Sequence, residues 1–128
     1  MEPHFLDLES VVRIHQSMIE HYGGADGVRD VGLLESAVAM PQAAFGGQYL
    51  HKGLFEMAAA VLFHIVKNHP FIDGNKRTGA ASAIVFLTMN GIELEADEDG
   101  LVEITLAVAE NRAGKPESAD FFARRVLT

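Results

Sequence analysis

The segment KNHPFIDGNKRTG, residues 67–79, gathers an imidazole, a carboxylate, a carboxamide and two cations between two strongly apolar stretches. His69 supplies an imidazole, the side-chain type whose unperturbed pKa lies near ~6.5 and which is suited to taking a proton from a hydroxyl nucleophile. Asp73 follows four residues later. A carboxylate beside a polyphosphate is the usual protein contribution to a shared Mg²⁺. Lys76 and Arg77 then fall in what reads as the first turn of a helix, where bare N–H groups and the helix dipole favour acidic residues instead. Each misplaced cation costs from a few tenths of a kcal/mol up to ~1. The arrangement is explained if an anion completes the site, with Gly74 admitting it to the backbone and Arg77 forking onto phosphate oxygens. Base, metal ligand and anion cradle together point to transfer of a phosphorus-containing group.

Taken singly, each of these residues also has a structural use. Asp-Gly-Asn is common turn and cap chemistry, and a loop between buried helices is polar somewhere. The joint spacing favours the functional reading.

The flanking elements must hold this loop. Residues 54–67, LFEMAAAVLFHIVK, and 79–89, GAASAIVFLTM, are apolar nearly all round, which places two helices at the centre of the fold. Pro70 disfavours helical geometry at His69, so the first of them stops near Asn68. Phe71 and Ile72 are expected to plug into the core, and Asn75 to open the second helix. Upstream, residues 7–21 carry Leu8, Val11, Val12, His15, Met18 and Ile19 on one helical face, capped by Asp7 and ended at Gly23-Gly24. A second short helix, DVGLLESAVAM, has Asp30 as its cap and Pro41 just beyond its end. QAAFGGQYLHKG, residues 42–53, reads as a short hairpin around Gly46-Gly47, or as a surface loop. Two amphipathic helices, about 98–111 and 117–126, close the chain. The expected fold class is all-α, two central buried helices flanking the motif loop, with one short hairpin.

The totals agree with an enzyme or binding domain. At 128 residues with 48% apolar content, one domain over 1–128 with a sizeable core is expected. The absence of cysteine excludes disulfides, thiolate metal sites and thiol catalysis. No stretch has the pattern of a signal peptide or the length of a membrane helix, so a cytoplasmic protein is expected. A net charge of −8 opposes nonspecific nucleic-acid binding and makes a local cation cluster more notable. His64, inside the apolar helix, reads as a satisfied core histidine. His4, His15 and His21 lack carboxylates at metal-ligand spacing. The acidic run ELEADED, 93–99, reads as a solvated turn and helix start. Lys67 suits a helix C-terminus but could also reach a phosphate.

HPFIDGNKR resembles the signature of the Fic/Doc superfamily, His-x-Phe-x-(Asp/Glu)-(Gly/Ala)-Asn-(Gly/Lys)-Arg. The likeness extends through HYGGADGVRDVGLLESAV and FLTMNGIEL, covers most of the chain and is strongest to the short death-on-curing toxins. It implies a Fic/Doc-type helical bundle with the motif loop between its two central helices. It also implies roles: His69 as general base, Asp73 as Mg²⁺ ligand, Gly74, Asn75 and Lys76 at the nucleotide, and Arg77 on its phosphate. The hairpin, with Phe45, Gly46, Gly47, Gln48 and Tyr49, corresponds to the flap that pairs with an extended target segment.

Two departures from the AMP-transferring Fic pattern select the expected chemistry. Lys76 stands where that pattern has glycine, and Ala80 where it has a second arginine. Doc toxins share both, and the family member studied as a kinase phosphorylates elongation factor Tu. The expectation is Mg²⁺-dependent transfer of the ATP γ-phosphate to a Ser or Thr hydroxyl of a protein, blocking translation. Gly74 is the Fic-like choice, so AMP transfer stays open. A catalytically silent nucleotide-binding module is the competing class; a DNA-binding helical domain is opposed by the acidic charge. No Ser or Thr lies four residues before a glutamate, as the inhibitory Fic helix requires. Inhibition by an antitoxin in trans, through a segment that folds on binding, is therefore expected.

Overall fold

The computed structural model describes residues 2–128. Its helices are α1 (Leu8–Tyr22), α2 (Val31–Ala39), α3 (Leu54–Asn68), α4 (Asn75–Met89), α5 (Glu98–Ala109) and α6 (Lys115–Ala123). A 3₁₀ turn (Met40–Gln42) follows α2, and strands β1 (Ala44–Phe45) and β2 (Gln48–Tyr49) pair antiparallel before α3. The all-α expectation holds, hairpin included.

Local chemistry sets the boundaries. Asp7 accepts from the Ser10 amide and Asp30 from the Leu33 amide, so both expected caps form. The hairpin turns at Gly46-Gly47 with φ of 60° and 79°, the double left-handed geometry that a two-residue turn requires. Gly91, with φ 83°, lies just past the end of α4, where a left-handed residue stops the helix.

α3 is the central helix. It runs against α2, α4, α5 and α6 and buries Met57 through Leu62, Ile65 and Val66. Its closest neighbour is α4, admitted by Gly79. A Cβ there would stand 2.9 Å from Val66 Cγ2 and 3.3 Å from the Leu62 carbonyl. The remaining core includes Val11, Leu34, Phe71, Phe86, Leu87, Val108 and Phe122, each essentially without exposure. Together α3 and α4 are the fixed frame from which the motif loop projects.

Two expectations about core residues change. Phe71 is fully buried, but Ile72 is 53% exposed. Phe71 forms an isolated bridge with Val28, and in extended backbone neighbours point to opposite sides. Phe71 inside therefore puts Ile72 outside, over Gly27. His64 is not a satisfied core histidine: its buried Nε2 has no partner among the described residues. It packs edge-on against Phe63, and burial, then the charge of Lys115, pushes its pKa down to about 4.

Candidate active site

α3 ends at Asn68, and His69 caps it in the left-handed region, at φ 51° and ψ 53°. Non-glycine residues there cost roughly 1–2 kcal/mol, so the imidazole sits on a strained hinge. Pro70 and Phe71 then cross to the 27–30 segment. The Pro70 carbonyl accepts from the Arg29 and Asp30 amides, and the Ile72 amide donates to Gly27.

Asn75 locks the loop from inside. Its Oδ1 accepts from the Phe71 amide at 2.9 Å, and its Nδ2 donates to the Phe71 carbonyl at 3.0 Å. The residue is 4% exposed, and its carboxamide bonds the loop backbone. The carboxamide expected at the nucleotide thus also shapes the loop, with one Nδ2 hydrogen not used by the Phe71 carbonyl.

The Asp73 carboxylate faces the loop after α1. Ala25 donates its amide to Oδ2 at 3.2 Å and Gly74 to Oδ1 at 2.9 Å. These two bonds, more than the nearby Arg77 charge, hold its pKa below the ordinary carboxylate value. The carboxylate is therefore ionised near neutrality. Two of its about four lone-pair positions are used, which leaves room for a cation. Gly24 makes the approach possible, because a Cβ there would lie 2.8 Å from Asp73 Oδ2.

Gly74, at φ 78°, opens α4 without a side-chain cap, and no acidic residue lies in the first turn. The space its Cβ would need belongs to α1, where Ile19 Cδ1 is 3.3 Å away. Packing against α1 thus accounts for this glycine alongside any contact with an anion. Lys76 and Arg77 are exposed in that uncapped turn. The Arg77 guanidinium lies 4.5 Å from the centre of the Tyr22 ring, a cation–π contact.

One cleft of about 650 Å³ joins these groups, a size typical of ligand sites. His69, Asp73, Gly74, Asn75, Lys76 and Arg77 line it, so every expected motif residue comes together there. Its far wall is mostly apolar, from Met18 and Tyr22 of α1 and Leu101, Val102 and Leu106 of α5, with Glu98 and Thr105 of α5 beside them. No motif announced that wall; only the amphipathic spacing of α1 and α5 hints at it. The flap residues do not line the cleft. Phe45 is 83% exposed, whereas Tyr49 packs on Phe5 and donates its hydroxyl to Glu2. Lys67 is held by Asn111 and does not line the cleft. The acidic run does more than meet solvent: Asp97 caps α5 and pairs with Arg125 at 2.8 Å.

A divalent ion is a fair match to this donor set only when a phosphate shares it. Among the described residues no cluster of three or more metal-ligating side chains exists. Mg²⁺ is commonly held by one or two carboxylates plus substrate phosphates and water, and Asp73 can be that carboxylate.

An all-α frame presenting an uncapped cationic helix start beside an imidazole and a carboxylate defines the Fic type of domain. The family model described as "Fic/DOC family" matches residues 5–87, and the chain belongs to that family. It is 49% identical over 78 residues to the "Toxin Doc" of Mycolicibacterium smegmatis, a match covering 61% of this chain and 60% of that protein. It is 32% identical over 116 residues to the "Protein kinase doc" of Escherichia phage P1, covering 91% of this chain and 90% of that one.

Proposed function

We propose that the protein is the toxin of a toxin–antitoxin pair and a protein kinase, moving the γ-phosphate of ATP to a Ser or Thr hydroxyl of a target protein. The observation that carries this reading is the cleft itself: His69, Asp73, Lys76 and Arg77 converge on one uncapped helix start. The names of the two relatives support it.

In this mechanism the N–H groups at the start of α4, with Lys76 and Arg77, bind the triphosphate. Asp73 would hold Mg²⁺, which neutralises charge on the phosphate oxygens. His69 takes the proton as the hydroxyl oxygen bonds to the γ-phosphorus. The bond from that phosphorus to the β–γ bridging oxygen breaks, and ADP leaves. Positioning and charge stabilisation supply most of the rate in such transfers. The proposed substrate is elongation factor Tu, with translation arrest as the result and an antitoxin segment in trans as the inhibitor. AMP transfer is disfavoured because Lys76 crowds the place that glycine leaves open, and Ala80, on the cleft wall, offers no charge to a far phosphate.

The test is label transfer from ATP labelled at either the α- or the γ-phosphate, to purified elongation factor Tu and to a bacterial lysate. Label from the γ-position only, reduced to a small residual rate in His69→Ala, is expected. Label from the α-position would establish AMP transfer instead. Absence of either label, with nucleotide still bound, would leave a silent binding module.

A further inference from the structure

Three successive main-chain carbonyls, those of Asn68, His69 and Pro70, all end on residues 29 and 30. Arg29 Nε donates to the His69 carbonyl at 2.7 Å, and Nη2 donates to the Asn68 carbonyl at 3.0 Å. The amides of Arg29 and Asp30 donate to the Pro70 carbonyl at 2.7 and 3.1 Å. In the middle of this row His69 holds its left-handed conformation.

A helix that merely stops takes glycine, or sometimes asparagine, at a left-handed end. An imidazole kept there is kept for its side chain, and its strain persists only if neighbours over-determine it. Arg29 is suited to that task. Its planar fork spans two adjacent carbonyls, which a lysine cannot do, and its cation meets the negative end of the α3 dipole.

We propose that Arg29 is the positioning residue of His69, fixing the strained backbone and so the direction in which the imidazole leaves the chain. This inference rests on the reading of His69 as the base. Arg29 does not line the cleft, so it acts on His69 and not on nucleotide. A simple helix cap would instead lower stability and leave turnover per folded molecule unchanged.

The experiment uses the full chain with Arg29→Ala, Arg29→Lys, His69→Ala and the Arg29→Ala/His69→Ala double variant. In γ-phosphate transfer, Arg29→Ala is expected to lower kcat by about a hundredfold, the loss that follows a small misplacement of a catalytic group. KM for ATP should stay within about twofold, and Arg29→Lys should recover only part of the rate. On the His69→Ala background, Arg29→Ala should cost nothing further, because the group it aims is already gone. A full loss persisting on that background, or a loss carried by KM, overturns the proposal. Backbone NMR at residue 69 decides the matter independently of activity. The order parameter should be about 0.85 in the wild type and below about 0.6 in Arg29→Ala. A rigid His69 in that variant sinks the inference alone, whereas a wild type that transfers no phosphate sinks only the kinase reading. Should Arg29→Ala not fold, Arg29→Lys serves both measurements.

Discussion

The imidazole of His15 donates through Nε2 to the main-chain carbonyl of Asp73 across 2.8 Å, while its ring stacks on Phe71 at 3.9 Å and 4°. A carbonyl only accepts, so Nε2 carries the hydrogen. One residue of α1, itself 2% exposed, thereby fixes the height of the candidate metal carboxylate. The bond and the stack can be separated. His15→Phe keeps the stack and loses the donor; His15→Gln loses the stack and retains an amide donor. A net hydrogen bond of ~0.5–1.5 kcal/mol corresponds to a loss of up to about tenfold. His15→Phe is therefore expected to weaken Mn²⁺–nucleotide binding by that factor while staying folded, and His15→Gln to bind better than His15→Phe. Equal affinity in wild type and His15→Phe, by calorimetry, would remove the donor from the account.

Gly24 and Gly23 make a matched pair. Both have positive φ, 116° and 82°, so alanine strains either. Only at Gly24 would the new methyl meet the Asp73 carboxylate; at Gly23 nothing lies within 4 Å. Both alanine variants should lose about 1 kcal/mol or more of stability. Gly24→Ala alone should also depress activity by about tenfold or more, through displacement of a positioned group. Urea melts alongside transfer rates would show whether the two effects separate.

His69 should be more stable when replaced by a residue that tolerates its backbone. Left-handed geometry costs a β-carbon roughly 1–2 kcal/mol, and glycine escapes that cost. His69→Gly is expected to melt above His69→Ala while both retain only residual transfer activity. A His69→Ala melting point at or above that of His69→Gly would mean the hinge stores no strain.

His64 supplies a pH dependence with a definite sign. Its folded pKa is pushed to about 4 from an ordinary 6.5, mainly by burial. Between those values the unfolded chain binds a proton that the folded chain refuses. Stability therefore rises with pH across about 4 to 6.5 on this account and gains nothing from His64 above it. His64→Phe should flatten that part of a stability-versus-pH profile measured by denaturant midpoint. An unchanged slope in the variant would assign it to other groups.

Much of this was legible in the residues themselves. Asp7 and Asp30 announce helix starts because their side chains satisfy amides three residues on, within one turn. Gly46-Gly47 announces the hairpin because few other residues turn so tightly. The motif stands out because two cations in the opening turn of a helix contradict the dipole. All these are local relations, settled within a few residues.

The failures are long-range. Ile72 was expected inward with Phe71, yet the bridge to Val28 turns it out, a pairing set 43 residues away in the chain. Asn75 lines the cleft as expected, but its second use, clamping the Phe71 backbone, could not be read from the motif. His64 looked satisfied because its helix is apolar, and that same apolarity denies its nitrogen a partner. Sequence alone determined that an imidazole, a carboxylate and two cations would share one loop between buried helices, because spacing along a chain fixes local geometry. Tertiary structure alone decided how each is aimed: Arg29 and His15 reach the loop from other elements, and which donor meets which carbonyl depends on how the helices pack.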